Sequence, residues 1–276
     1  ISFKNINICF GIFKIVNAIV HIMNCYIIYK ITHKKKFLII YGLNPFILLE
    51  FIGMVHNDVI IVFFVLLALY YLLKKKNIYL SVLFLALSTG IKYFTVLLLP
   101  IIILYHFRKE EKITKRFLKC MEYGMMFLGI VAVLYIPYFK NLNVLFAMLP
   151  QGGRYAKSIY AVLLFINLNF MFLVRSTIII LFVMFYTIFC LNTLFKKKDK
   201  IIETLRKYNT ALILFLLILS NSQQWYLVSL FPTIMWQRAK MVKDMIGITL
   251  AVEIANSIYM FKSEWYIYDA YYIGII

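Results

Sequence analysis

"EFIGMVHNDVIIVFF", residues 50–64, sets two carboxylates, a histidine and an asparagine into a run that would otherwise sit comfortably in lipid. A charged side chain in hydrocarbon costs roughly 2.5–3.5 kcal/mol even on the lenient insertion scale. Glu50, His56, Asn57 and Asp58 therefore need partners that hold them, or a task that uses them. What surrounds the stretch decides between a soluble fold and a membrane one.

Composition answers that question. Of the 276 residues, 64% are apolar or aromatic and only 15% are charged, with a mean hydropathy of +0.87. A soluble domain holds roughly half apolar residues and about a quarter charged ones. Apolar stretches recur from end to end and leave no soluble domain of useful size. The chain reads as all-α, a polytopic transmembrane helix bundle with about 9–11 membrane helices, short or re-entrant ones included. Residues 1–276 form a single transmembrane domain in this reading.

The net charge of +19 would suggest nucleic acid in a soluble protein. Here the basic residues gather in short knots between apolar runs: "THKKKF" (32–37), "LKKKN" (73–77), "RKEEKITKRFLK" (108–119), "KKKDK" (196–200) and "RAKMVK" (238–243). Knots beside hydrophobic spans mark cytoplasmic loops. No contiguous basic face with base-reading groups can be assembled, so nucleic acid is not an expected partner. Anionic lipid headgroups are the better secondary partner. Cys9, Cys25, Cys120 and Cys190 show no C-x-x-C spacing and read as small apolar residues. No cofactor is required by the sequence. A divalent cation shared by His56 and Asp58 would need a third ligand that the sequence does not place.

Pinning the knots to the inner side threads the chain. Residues 8–31 cross inward, 37–55 cross outward and 58–73 return, so "MVHND" falls at the outer rim. The stretch 78–107 reads as two short helices meeting at Lys92 near the outer side, because each half falls short of the ~20 residues a full span needs. Residues 117–139 cross outward to the polar segment "PYFKNLNVLFAMLPQGGRYAKS" (137–158), and 159–174 are interfacial or re-entrant. Residues 176–195 run inward, and 208–222, 225–237 and 245–261 go out, in and out. His56–Asp58, Lys92, the 137–158 loop, Arg175, Ser220–Tyr226 and the tail all gather on the exoplasmic face.

Each polar residue has a plain reading beside the functional one. Asn57 or Asp58 can cap the helix that follows. Glu50 and Asn57 lie seven apart, which in a continuous helix puts them on one face. A carboxylate in mid-span is a functional candidate by default, its alternative being a hydrogen bond to a neighbouring helix. Lys92 can snorkel to the interface. Arg154 and Lys157 can anchor the interface or, beside "PQGG", help bind an anion. In "QQWY" (223–226) the aromatics suit the membrane belt, while Gln224 suits hydroxyls and Trp225 a stacking surface. Glu253 is a further carboxylate within a span, and Glu122 reads as solvated.

"NPFILLEFIGMVHNDVIIVFFVLLALYYLL" (44–73), "ALSTGIKYFTVLLLP" (86–100) and "NSQQWYLVSLFP" (221–232) together resemble polytopic GT-C glycosyltransferases. The likeness is nearest to bacterial polyprenyl-phosphomannose-dependent mannosyltransferases. It rests on Asn44, Pro45, Glu50, Gly53, His56, Asn57, Asp58, Lys92, Pro100, Trp225, Tyr226 and Pro232 and covers about two-thirds of the chain in scattered blocks. The resemblance implies transfer of a mannose-like hexose from a polyprenyl-phosphate sugar to a lipid or glycan acceptor at the exoplasmic face. One departure stands out. Such enzymes usually carry a catalytic aspartate in the first external loop, whereas no acidic residue precedes Glu50 here. The chain is therefore expected to lack that loop and the span or spans before it, and to be inactive if nothing replaces the aspartate; otherwise Asp58 or Glu50 does more.

Under that reading Asp58 and Glu50 are the catalytic candidates, since a carboxylate is a natural base for an acceptor hydroxyl. Asp58 is cast as base or acceptor binder, and Lys92, Arg154 and Lys157 as partners of the leaving phosphate. His56, Asn57, Gln224, Trp225 and Tyr226 complete the substrate-binding set. Two other classes compete. A transporter or flippase for lipid-linked sugars would use Glu50 and Glu253 as ion sites, and a non-catalytic membrane subunit would bind a partner enzyme.

Overall fold

Helix α4 (Asp58–Tyr70) is apolar around nearly its whole circumference, and such a helix belongs in the middle of a bundle. The structure, a computed structural model, describes residues 6–107, 112–138, 171–195, 201–219 and 223–262, and it puts α4 there. Val59, Ile61, Val62, Val65, Leu66, Ala68 and Leu69 are all buried, and the remaining stripe, Ile60, Phe63, Phe64, Leu67 and Tyr70, is half-buried. Helix α1 (Ile6–Thr32) packs along one flank and α5 (Ile78–Ile91) along another. No strand occurs among the described residues. The protein is an all-α membrane bundle.

Among the described residues three helical stretches are long and apolar enough to cross a membrane, Asn7–Thr32, Thr114–Tyr138 and Leu173–Asn192, and the bent pair Lys35–Gly42 and Pro45–Gly53 makes a fourth if it counts as one span. The first three belong to α1, α7 (Ile113–Tyr135, with a 3-10 turn after it) and α8 (Met171–Phe195). Their outward faces are rows of exposed apolar side chains, such as Phe13, Ile15, Ile19 and Ile22 on α1, which suits lipid as the solvent.

The sequence predicts one outward crossing over 37–55, and the structure breaks it. Helices α2 (Lys35–Gly42) and α3 (Pro45–Gly53) meet at a 49° bend. The cause is local. Pro45 has no N–H to give to a continuing helix, and the Asn44 side chain instead accepts from the Phe46 amide at 3.0 Å, starting a new one. A side chain at Gly42 would lie 2.9 Å from Cys25 Sγ, so the bend brings α2 close against α1. From Leu48 to Gly53 the helix widens to the π form. Since α3 ends at Gly53, Glu50 and Asn57 do not share a helical face as their spacing predicts.

The pair α5 and α6 (Tyr93–Phe107) breaks at Lys92, as expected. Lys92 is extended there, and threonine hydroxyls supply bonds around the break. Thr95 Oγ1 donates to the Lys92 carbonyl at 3.2 Å and lies 3.0 Å from Thr89 Oγ1. Irregular backbone at membrane depth needs such protein partners. Ser81 and Ser88, one face of α5, donate to the Ala68 and Ile61 carbonyls of α4 at 2.9 and 3.3 Å and lock the two helices together.

The remaining described helices are α9 (Ile201–Ile218), α10 and α11 (Ala239–Lys262). Helix α10 is a 3-10 turn, Gln224–Leu230, that runs into Phe231–Ile234 and packs on α4. Its far end is held by α9: Thr233 Oγ1 donates to Asn209, and Arg206 Nε donates to the Trp236 carbonyl at 2.7 Å. The expected polar loop beyond Tyr138, with Arg154 and Lys157, lies outside the described residues. So do residues 159–170 of the expected interfacial segment 159–174, whose last four residues belong instead to the continuous helix α8, and Ser220–Ser222 and the tail beyond Lys262.

Candidate functional site

The break at Lys92, the start of α4 and the 3-10 turn of α10 converge on one point. Asp58 is the first residue of α4, where free amide N–H groups favour a negative charge. It is 1% exposed, and its Oδ1 is ion-paired with Lys92 Nζ. The same ammonium sits over the Tyr226 ring, 4.0 Å from its centroid, a cation–π contact that a desolvated setting strengthens. Lys92 thus turns inward to Asp58 and does not snorkel. Asn57 occupies the capping position, yet its side chain makes no capping bond. Asp58 Oδ2 is buried with no hydrogen-bond partner among the described residues.

A second acid–base pair stands beside the first. Glu50, on the π turn of α3, is buried, and its Oε2 lies 3.3 Å from His56 Nε2. The imidazole also stacks on Trp225 with centroids 4.0 Å apart and planes 19° from parallel. Burial, and then the nearby Lys92 ammonium, hold the His56 pKa below the ordinary histidine value, so the ring is neutral at pH 7. In its Nε2–H tautomer it can donate to the Glu50 carboxylate. Trp225 and Tyr226 are consecutive, with rings 86° apart, so neighbouring residues of one turn each cover one of the pairs.

The segment between Gly53 and Asp58 is held in an unfavourable shape. Val55 has φ of 66°, a left-handed conformation that crowds a β-branched side chain. Such residues cost about 1–3 kcal/mol and persist where the surroundings over-determine them. Here the turn folds His56 back over α3, with its amide on the Glu50 carbonyl at 3.2 Å. Val55→Pro, whose ring fixes φ near −65°, cannot adopt this shape. It is expected to part His56 from Glu50 and Trp225 and to cut any activity of the site about tenfold or more; loss of histidine–tryptophan contact can be followed by tryptophan fluorescence.

Helix α1 supplies the outer support, which the sequence reading does not anticipate. Asn17 Nδ2 donates to the Phe51 carbonyl at 2.7 Å and to the His56 carbonyl at 3.1 Å. His21 Nε2 lies 3.1 Å from the Gly42 carbonyl, and its ring stacks on Tyr41. Asn24 Nδ2 donates to Tyr41 Oη at 2.9 Å and to the Val59 carbonyl at 3.0 Å. All three side chains are buried in a helix whose other faces are greasy. Their spacing of four and three residues, one helical face, is the signal that could have revealed them.

Residues 4–108 match the family model for the alpha-(1->6)-mannopyranosyltransferase N-terminal domain. The mannosyltransferase resemblance holds over that segment. The matched domain contains α1 to α6, and with them Glu50, His56, Asn57, Asp58 and Lys92. The match likens this segment, and no more of the chain, to a mannosyltransferase domain. Trp225 and Tyr226 lie beyond the matched segment and reach its acid–base pairs through the fold. No curated protein and no solved structure matches the chain.

Of the expected site residues, the structure brings together Glu50, His56, Asp58, Lys92, Trp225 and Tyr226, with Asn57 between the two pairs. Gln224 opens the turn that carries both aromatics, and Arg154 and Lys157 are outside the described residues. Trp225 is a stacking surface here for His56, which takes one of its faces. Glu122 is exposed, as expected, and there it accepts from Lys119 at 2.6 Å and from Tyr79 at 3.4 Å, away from this site. Glu253 lies half-buried in α11. Among the described residues no three His, Cys, Asp or Glu side chains gather as a metal site, and the charge facing Asp58 is the Lys92 ammonium.

Proposed function

We propose that the protein is a membrane mannosyltransferase that moves a mannose-like hexose from a polyprenyl-phosphate sugar to a lipid or glycan acceptor at the exoplasmic face. The observation that carries this reading is the buried Asp58–Lys92 pair under Tyr226, beside Glu50, His56 and Trp225, within and against a segment matching a mannosyltransferase domain. The basic knots support the sidedness, since they put the Gly53–Asp58 turn opposite the lysine-rich loops. A polytopic bundle supplies the lipid-facing surface that a polyprenyl tail requires.

The chemistry follows from the charges. Transfer breaks the bond between the sugar's anomeric carbon and the phosphate oxygen, and forms one to the acceptor oxygen. Lys92 is suited to the charge that develops on the leaving phosphate. Arg154 and Lys157 join it in this reading. Asp58 serves the acceptor hydroxyl in this reading, as binder or base, once a donor has drawn Lys92 away from it. Trp225 and Gln224 meet the sugar, and a donor that engages Lys92 loosens it from Asp58.

Membranes carrying the full chain are expected to transfer mannose from polyprenyl-phosphate mannose. Asp58→Asn should lower the rate about 10²–10⁴-fold. Wild-type rates in both Asp58→Asn and Arg154→Ala would refute the assignment. A flippase remains the second reading, favoured by the two broken helix pairs at Asn44 and Lys92. It would be established by ion-coupled uptake into proteoliposomes without sugar transfer.

A further inference from the structure

The Asp58 carboxylate is poorly placed to receive a proton. It is 1% exposed, one oxygen is committed to Lys92, and the other is enclosed. His56, two residues earlier, is the reverse: its side chain is 30% exposed, and only its Nε2 edge is occupied, by a Glu50 whose side chain is 5% exposed. Among the described residues its Nδ1 has no hydrogen-bond partner. Stacking on Trp225, the Asn17 bond to its carbonyl and the left-handed Val55 before it fix the ring's plane.

From this geometry we infer that His56 is the general base for the acceptor hydroxyl, with Glu50 as its positioning residue and Asp58 retained as the counter-charge of Lys92. The inference rests on the transfer reading above and names the group that takes the proton. The acceptor O–H bond breaks and its proton goes to His56 Nδ1. The oxygen's electron pair forms the new bond to the anomeric carbon, and the carbon–oxygen bond to phosphate breaks with its pair staying on the phosphate. The imidazolium so formed has its Nε2–H on the Glu50 carboxylate, which stabilises the charge and holds the tautomer, as a carboxylate does behind the histidine of a catalytic triad. A neutral resting ring is the state this step needs, and burial keeps it neutral. The ionisable groups around it are Glu50 from α3, Asp58 from α4, Lys92 from the α5–α6 break and Tyr226 from α10.

The test is the pH profile of kcat/KM for mannose transfer by the full chain in membranes, with polyprenyl-phosphate mannose as donor. The acid limb is expected below the ordinary histidine value of about 6.5. Glu50→Gln, by removing the neighbouring carboxylate, should shift that limb down by about one pH unit. His56→Gln should cost about 10²–10⁴-fold in kcat and abolish the limb while thermal unfolding stays near wild type. A limb in the carboxylate range that Glu50→Gln leaves unmoved would overturn the inference and return the proton to Asp58. So would His56→Gln at wild-type kcat. A wild-type chain that transfers nothing would sink the transfer reading itself, and the two failures are thereby distinguished.

Discussion

Lys92→Met is expected to abolish transfer and to destabilise the fold by about 3–5 kcal/mol, because it leaves Asp58 as a buried carboxylate without its counter-charge. The double variant Lys92→Met/Asp58→Asn should recover most of that stability, since neither charge is then left alone, while transfer stays absent. Thermal unfolding in detergent, read beside a mannose-transfer assay, separates the two effects. A single variant that melts like wild type would mean that Asp58 is not enclosed as described. Removing both members of a buried ion pair together is often neutral for stability or even favourable. Stability alone therefore does not call for this pair, which agrees with a working role for it.

Asn17→Leu has the next largest expected effect. The substitution removes one amide that serves two backbone carbonyls, those of Phe51 and His56, and offers an apolar group in its place. A buried acceptor left without a donor costs about 1–3 kcal/mol, so a loss of about 2–4 kcal/mol is expected for the two. Because the His56 carbonyl is one of them, activity should fall further than the melting temperature explains. Ile19→Leu, on the exposed side of the same helix, should change neither measurement. If Asn17→Leu behaved like that control, helix α1 would not be holding the turn.

The bundle is legible in the sequence because its cues are local. Apolar runs closed by lysine knots place α1, α4 and α5, and Lys92 between two short apolar halves marks the α5–α6 break. "MVHND" stands out because polar residues are costly in such company. The rest depends on partners remote in the chain. The His56–Trp225 stack joins residues 169 positions apart, and no periodicity announces it. Asp58 looks like a helix cap until Lys92 is seen beside it. The bend at Asn44 is the exception, since its cue, the Asn44-Pro45 pair, is local and is outweighed only because 37–55 is apolar enough to count as one span. The face of α1 bearing Asn17, His21 and Asn24 passes unnoticed for a simpler reason: each residue on its own is tolerable near a membrane.

Trp225 and Tyr226 occupy adjoining positions on one short coil, and each closes over a different pair. The glutamate–histidine unit and the aspartate–lysine unit therefore share a single latch. Because the rings sit on consecutive residues, displacing that coil would shift both together.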